Sequence, residues 1–129
     1  LTGFEADAKT LKAAETNLAK ARVGVPMSLG KQDFFKAGPL PAALGSRWVF
    51  CNPPYGERLK VKEPLADLYA KLFAQIENVA KPDRVCVLLP SKSVKGKFHL
   101  PPRWKVLGKR PLLNGGLPVV AFVFGPKSP

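Results

Sequence analysis

The sequence predicts an α/β fold, in which a layered sheet is flanked by helices. Segments with apolar residues at helical spacing alternate with short, continuous apolar runs, and stretches rich in proline and glycine separate them. A chain of 129 residues, 46% of them hydrophobic, can bury a sizeable core. We therefore expect a single domain that spans residues 1–129.

Two segments have the pattern of helices. Residues 7–23 repeat apolar side chains every three or four positions, and Asp7 is suited to cap the start of the helix. Residues 64–80 repeat leucine, isoleucine and valine at the same spacing, with Pro64 in the favoured first turn. Both helices are predicted to lie on a sheet.

The remaining apolar runs have the pattern of strands. They cover residues 25–33, 47–52, 84–90, 104–110 and 117–125. The runs 47–52 and 84–90 are continuous, which is typical of strands buried on both faces. The last two strands close around "LLNGG", where Asn114 is expected to be a turn residue because this pattern favours positive φ.

The charge of the chain restricts its partners. It carries 21 Lys and Arg against 9 Asp and Glu, a formal net charge of +12. Such a surface attracts polyanions, so RNA or DNA is the leading partner; the alternatives are a role in solubility alone, or an acidic protein or lipid surface. No run approaches the length of a membrane span and no secretory signal is apparent, so we expect no membrane partner and a cytoplasmic location.

The two cysteines indicate no metal site. Cys51 and Cys86 lie in apolar runs without the spacing that a zinc site needs. We expect both to be reduced core residues in a reducing compartment.

The stretch "FCNPPYGER", residues 50–58, places a rigid corner directly after a predicted strand. Pro53 and Pro54 fix two φ angles and remove two N–H donors, so the preceding carbonyls project in set directions. Asn52 adds a side-chain acceptor, and Tyr55 adds a flat face on which a nucleobase can stack. These groups suit an exocyclic base amine, although Asn-Pro and Pro-Pro pairs are also ordinary turn signals.

"NPPYGER" after an apolar strand resembles the catalytic motif of amino-methyltransferases that use S-adenosylmethionine. The GER extension is similar to RNA guanine-N2 methyltransferases that carry an RNA-binding THUMP domain upstream. The resemblance implies a partial Rossmann-like class I methyltransferase sheet with helices on both faces. It also implies that Asn52, Pro53, Pro54 and Tyr55 are catalytic: Asn52 and the Pro53 carbonyl orient the guanine amine, and Tyr55 stacks on the flipped base.

The same resemblance implies cofactor and RNA contacts. "LTGFEAD" resembles the strand whose acid, here Glu5, holds the ribose hydroxyls of the cofactor, and "GKQDFF" resembles the segment whose Asp33, beside Phe34, accepts from the adenine amine. Asn52 also belongs to this cofactor-binding set. Arg58 and Lys60 are predicted to contact RNA phosphates. A helix-cap or loop role for both carboxylates, and a solvated position for Arg58, are the alternatives.

The chain departs from the family pattern at its start, where the first strand and its glycine-rich loop are not found ahead of Leu1. In the family that strand lies between the strands ending here at Glu5 and Asn52. We therefore expect residues 1–129 to be the C-terminal portion of a methyltransferase catalytic domain, completed by a segment or chain that supplies the central strand. Alone it is expected to be inactive, to bind the cofactor weakly and to aggregate.

Three functions remain open. The first is methyl transfer to a guanine N2 in structured RNA, with rRNA ahead of tRNA. The second is an inactive, methyltransferase-like module for RNA binding or ribosome assembly. The third is DNA adenine methylation, which shares the NPPY motif, but the basic closing hairpin and the GER extension favour RNA.

Overall fold

The structure, a computed structural model, describes residues 1–42, 45–55, 63–93 and 99–127. The chain separates into two compact units, Leu1–Gly38 and Pro39–Pro129. The prediction of an α/β fold is confirmed, because helices and parallel strands alternate along the chain.

The first unit is a pair of parallel strands joined by a helix. It contains β1 (Thr2–Glu5), α1 (Ala8–Ala21), β2 (Ser28–Lys31) and a short 3₁₀ helix (Phe34–Lys36). Thr2 lies opposite Ser28, and Glu5 lies opposite Lys31. Parallel strands need a crossover connection, which α1 supplies. The carboxyl ends of β1 and β2 therefore meet at one edge.

The start of α1 is fixed by the predicted cap. The Asp7 Oδ1 atom accepts from the Thr10 backbone N at 2.7 Å and from the Thr10 hydroxyl at 2.8 Å. These hydrogen bonds, with the backbone N–H as the larger cause, hold the pKa of Asp7 below its ordinary value. The N-cap prediction from the sequence is confirmed.

The second unit is a four-stranded sheet with one long helix. It contains β3 (Trp48–Cys51), α2 (Leu65–Ala80), β4 (Arg84–Pro90), β5 (Trp104–Asn114) and β6 (Leu117–Pro126). The strand order is β3-β4-β6-β5, with β3 parallel to β4 and the other two pairs antiparallel. The long β5–β6 hairpin therefore closes the sheet next to β4.

The core lies between α2 and one face of this sheet. Its fully buried residues include the following: Tyr69, Phe73, Ile76, Val79, Val85, Val87, Leu89 and Phe124. The Phe73 ring centroid lies 5.5 Å from that of Phe124 and 6.1 Å from that of Trp104. Burial alternates along β4, so the residues at even positions point to the opposite face.

One carboxylate joins α2 to the start of β5. Glu77 accepts from the Trp104 indole N–H at 2.7 Å and from Arg103 Nε at 2.8 Å. Burial works to raise the pKa of Glu77, but the hydrogen bonds from Arg103 and Trp104 and the charges of Arg103 and Lys81 outweigh it. The pKa of Glu77 therefore lies below its ordinary value.

The structure corrects one expectation for β3. Residues 47–52 were expected to be buried on both faces, but β3 lies at the edge of its sheet, and Trp48 and Phe50 are 58% and 74% exposed. Phe50 pairs with Cys86, which lies on the sheet face opposite Val85 and α2. The rings of Trp48 and Phe50 stack, with centroids 6.2 Å apart. An apolar run alone does not show which of its faces is covered.

The start of β3 is tied to the end of α2. The backbone N of Arg47 donates to Asp83 Oδ2 at 2.7 Å, and its Nη1 atom donates to the Ala80 carbonyl at 2.6 Å. The Asp83 N–H donates back to the Arg47 carbonyl at 2.9 Å. This end of the strand is therefore held firmly, and the proline corner lies at the other end.

In the part of the chain that the structure describes, neither α1 nor α2 has the length and apolar composition of a membrane-spanning helix.

Candidate active site

The proline corner follows the carboxyl end of β3 directly. The strand ends at Cys51, and residues 52–55 continue it as an irregular segment in which Pro53 is buried and Asn52 is exposed. In open α/β sheets, ligands bind at the carboxyl ends of parallel strands. The corner therefore occupies the position at which this architecture places a ligand.

A buried phenol holds the backbone of the corner. The hydroxyl of Tyr69, in the second turn of α2, donates to the Pro54 carbonyl at 3.0 Å. Tyr69 is 2% exposed, and burial is the main cause that raises its pKa to about 12, against a hydrogen bond with Ser93 that lowers it. The hydroxyl therefore stays protonated and can serve as a donor at any physiological pH. No local pattern in the sequence indicates this contact, since 15 residues separate Tyr69 from Pro54.

Two of the predicted catalytic side chains contact each other. The Tyr55 hydroxyl donates to Asn52 Oδ1 at 2.6 Å. The same hydroxyl oxygen accepts from Asn114 Nδ2, at 3.2 Å, at the tip of the β5–β6 hairpin. The corner thus presents the Asn52 amide oxygen and the Tyr55 ring, and the hydroxyl of that ring is hydrogen-bonded to both Asn52 and Asn114.

Asn114 was expected to be a turn residue, and the structure corrects this. Asn114 is the last residue of β5 and pairs with Leu117, while the positive φ angles of +56° and +83° belong to Gly115 and Gly116. Its side chain is therefore available for a contact at the corner. No local signal in the sequence could reveal this, since 59 residues separate Asn114 from Tyr55.

The thiol of Cys51, beside the corner, is not reactive near neutral pH. Burial raises the pKa of Cys51 to about 11, so the thiol stays neutral near pH 7. Cys51 and Cys86 are both free and half-buried. Cys51 is therefore suited to packing and not to nucleophilic chemistry.

Three of the four predicted cofactor residues, Glu5, Asp33 and Phe34, lie in the first unit. Glu5 ends β1, Asp33 follows β2, and the Gln32 N–H donates to the Glu5 carbonyl at 2.9 Å. Phe34 is half-buried, with its ring centroid 6.4 Å from that of Phe4. Two carboxylates and an aromatic ring thus lie at the carboxyl ends of adjacent parallel strands.

Each of these carboxylates also has a local structural role. Glu5 Oε1 accepts from the Asp7 N–H at 2.9 Å, and Asp33 Oδ1 caps the 3₁₀ helix by accepting from the Phe35 N–H at 3.0 Å. Asp33 Oδ2 lies 3.7 Å from Lys36 Nζ, and the Asp33 side chain is 43% exposed. A carboxylate has about four acceptor positions, so both groups retain capacity for hydroxyl or amine donors. These two acceptors and the Phe34 ring therefore fit the ribose hydroxyls, the adenine amine and the adenine ring of a nucleoside cofactor.

Two predicted RNA contacts cannot be placed. Arg58 and Lys60 lie outside the described residues. Within the described residues, no group of three or more His, Cys, Asp or Glu side chains could hold a metal ion.

The parallel strands, the crossover helix and the corner at the carboxyl end of β3 give the α/β architecture that the sequence predicts for a class I methyltransferase. Residues 1–109 match the family described as the RMKL-like methyltransferase domain (UPF0020). The chain belongs to this family. The resemblance to methyltransferases inferred from the sequence is therefore confirmed.

Two similar proteins are named as RNA methyltransferases. A candidate RNA methyltransferase of Synechocystis, slr0064, is 29% identical over 92% of this chain and 29% of its own length. The ribosomal RNA large subunit methyltransferase K/L of Cellvibrio japonicus is 35% identical over 60% of this chain and 10% of its own length. The chain thus spans less than a third of either relative.

Solved structures show the same fold. TrmN from Thermus thermophilus superposes with a TM-score of 0.72 at 20% identity, over 98% of this chain and 36% of its own. A candidate methyltransferase, SMU.472, in complex with SAH gives 0.72 at 22% identity, over 99% of this chain and 32% of its own. A protoporphyrin methyltransferase of Synechocystis with bound SAM gives 0.63 at 10% identity, over 98% of this chain and 59% of its own. The last two of these three structures contain SAH and SAM, respectively.

Proposed function

We propose that the protein transfers a methyl group from S-adenosylmethionine to the exocyclic N2 amine of a guanine in structured RNA, with rRNA as the first candidate and tRNA as the second. The observation that carries the proposal is the corner after β3, where Asn52 Oδ1 and the Tyr55 ring are held together by a 2.6 Å hydrogen bond. An amide oxygen beside an aromatic face matches the edge and the plane of an aminated base.

The chemistry of the corner is mainly positioning. A carbonyl oxygen has two lone pairs, so Asn52 Oδ1 can accept from a substrate amine while it accepts from Tyr55. The Pro53 carbonyl is the second acceptor. Two acceptors fix both N–H bonds of the amine. The nitrogen lone pair then points in one direction, toward the methyl group that is to be transferred. Stacking on Tyr55 contributes about 1–3 kcal/mol to holding the flipped base.

Glu5, Asp33 and Phe34, in the first unit, are proposed cofactor contacts, and Asn52, in the second unit, stays a predicted one. When bound, S-adenosylmethionine supplies an electrophilic methyl group on a sulfonium. Glu5 accepts from the ribose hydroxyls, Asp33 accepts from the adenine amine, and Phe34 contacts the adenine ring. The position of both carboxylates at the ends of β1 and β2 supports this assignment.

The names of the relatives and the charge support RNA as the substrate. Both relatives above are named as RNA methyltransferases, one of them acting on large-subunit ribosomal RNA. A net charge of +12 suits a polyanion. Arg58 and Lys60 stay predicted phosphate contacts, and the choice of guanine N2 rests on the GER extension after the corner.

Open strand edges support the expectation that this chain is completed by another segment. Among the described residues, β1 pairs only with β2, and β3 pairs only with β4. An unpaired edge offers a row of backbone donors and acceptors. We therefore retain the proposal that residues 1–129 belong to one catalytic domain whose central strand and glycine-rich loop come from outside them.

The test uses the full-length protein with labelled S-adenosylmethionine and a mixture of rRNA, tRNA, DNA and protein acceptors. We expect label in the N2 position of a guanine in RNA. Asn52→Ala and Tyr55→Ala should each lower the rate by more than a hundredfold, on the order of 3 kcal/mol of barrier, because one removes an amine acceptor and the other the stacking face. Asn78→Ala, on the exposed side of α2, is the matched control. Label found only in DNA or protein would refute the proposal.

The second candidate is an inactive RNA-binding or ribosome-assembly module. Asn52 Oδ1 already has a partner in Tyr55, and Glu5 and Asp33 already have local backbone partners, which is what a structural corner requires. RNA binding without any methyl transfer, unchanged by Asn52→Ala, would favour this candidate.

A further inference from the structure

A hydrogen-bonded chain of three side chains links the tip of the closing hairpin to the corner. Asn114 Nδ2 lies 3.2 Å from the Tyr55 hydroxyl oxygen, and that hydroxyl lies 2.6 Å from Asn52 Oδ1. The second distance is short even for a hydroxyl donor, which indicates a well-formed bond. These two hydrogen bonds join the tip of the β5–β6 hairpin to the corner after β3.

The chemistry of the groups sets the direction of this chain. A tyrosine hydroxyl has one proton to donate, and Asn52 Oδ1 can only accept it. The hydroxyl oxygen must then be the acceptor toward Asn114, whose amide nitrogen donates. Asn114 therefore donates to Tyr55, and Tyr55 donates to Asn52. A residue at position 114 that cannot donate would break the first hydrogen bond or reverse its direction.

The direction has two consequences at the corner. The Asn52 carboxamide is held with its oxygen toward Tyr55, which prevents the flip that would offer its NH₂ group to a substrate amine. The Tyr55 ring is held at its far end by two partners, which fixes the plane on which a base would stack.

The hairpin itself does not need the Asn114 side chain. The backbones of β5 and β6 pair along their length, and Gly115 and Gly116 supply the two positive φ angles of the turn. Position 114 has the backbone of an ordinary strand residue, so alanine or aspartate fits there without strain. The side chain is thus free to serve the corner.

We infer that Asn114 is a positioning residue, which acts through the Tyr55 hydroxyl to orient the Asn52 carboxamide and the Tyr55 ring for the substrate amine. The inference rests on the proposed function of the corner. Asn114 does not touch the substrate in this assignment. Its contribution passes entirely through one hydroxyl group, and this makes it testable by a double-mutant cycle.

The first experiment measures kcat and KM for RNA methylation by the full-length protein and its variants. Asn114→Ala is expected to lower kcat by about fivefold to tenfold, the value of one neutral hydrogen bond, with little change in KM. Asn114→Asp should lower kcat further, because a carboxylate competes with Asn52 for the single proton of Tyr55. Asn78→Asp, which also adds one negative charge, should leave kcat unchanged.

The double mutants isolate the route of the effect. Tyr55→Phe keeps the stacking ring but removes the hydroxyl, so Asn114→Ala and Asn114→Asp should cause no further loss of kcat in that background. Losses that multiply in the Tyr55→Phe background would overturn the inference, as would unchanged kcat in both single variants at position 114.

A spectroscopic measurement separates this inference from the proposed function. With ¹⁵N labelling, the side-chain amide signal of Asn114 should shift in Tyr55→Phe and stay in place in Asn78→Ala, on the exposed side of α2. A protein that transfers no methyl group would refute the proposed function, and the amide signal would still test the hydrogen bond. An Asn114 signal that ignores the Tyr55 hydroxyl would overturn the inference.

Discussion

Tyr69→Phe tests whether α2 holds the catalytic corner. The change removes one oxygen atom and leaves the ring in the core, where Tyr69 is 2% exposed. The Pro54 carbonyl, 3.0 Å from that oxygen, loses its donor in a part-buried contact. An unsatisfied buried acceptor costs about 1–3 kcal/mol, which corresponds to a fall in Tm on the order of 5–15 °C for a domain of this size.

The matched comparison is Tyr55→Phe, which removes the same atom from a half-buried ring. Water can replace that hydroxyl beside the exposed Asn52, so the free energy of unfolding should fall by less than about 1 kcal/mol. Urea unfolding followed by circular dichroism on the purified variants gives both values. Equal losses in the two variants would show that burial of the Tyr69 hydroxyl does not matter.

The pH dependence gives a second readout of the same contact. The pKa of Tyr69 is raised from 10.0 to about 12, mainly by burial, so its neutral form is the one the fold favours. The corresponding stability is fully present below pH 10 and is lost as the pH rises from 10 toward 12. Tyr69→Phe should flatten the loss of stability in this window. An identical slope in both proteins would refute the assignment.

Three further predictions concern the core, acid stability and RNA binding. Phe73→Ala, at a ring with no exposed surface, should lower the free energy of unfolding by about 3–5 kcal/mol. Leu113→Ala, at a side chain that is 71% exposed, should change it by less than about 0.5 kcal/mol, and similar effects of the two changes would contradict the location of the core. The pKa of Glu77 is lowered from 4.5, so its contribution to stability is present above that pH and is lost as the pH falls below it. Glu77→Gln should therefore reduce the loss of the free energy of unfolding at acid pH, and an unchanged pH dependence would contradict this. RNA affinity should fall linearly with salt on a double logarithmic scale, because Lys and Arg contacts release counterions, and a flat response measured by fluorescence anisotropy would mean that the charge does not contact phosphates.

Local patterns were enough to predict most elements of the fold. The helical spacing in residues 64–80 and the apolar run at residues 84–90 correspond closely to α2 and β4. Asp7 was identified as a cap because its hydrogen bonds reach only three residues along the chain. Pro64 lies one position earlier than expected, as the N-cap of α2. Signals of this kind depend on neighbours in sequence, so a single sequence carries them completely.

The sequence by itself determined the α/β class, the rigid corner after β3 and the basic character that suits RNA. The tertiary structure decided which faces are covered and which distant groups meet. It placed Phe50 on the open face of an edge strand, Tyr69 under the Pro54 carbonyl and Asn114 beside the Tyr55 hydroxyl. The physical reason is that a hydrogen bond between residues far apart depends on strand order and register, which arise from packing of the whole sheet and leave no mark in the local spacing of residues.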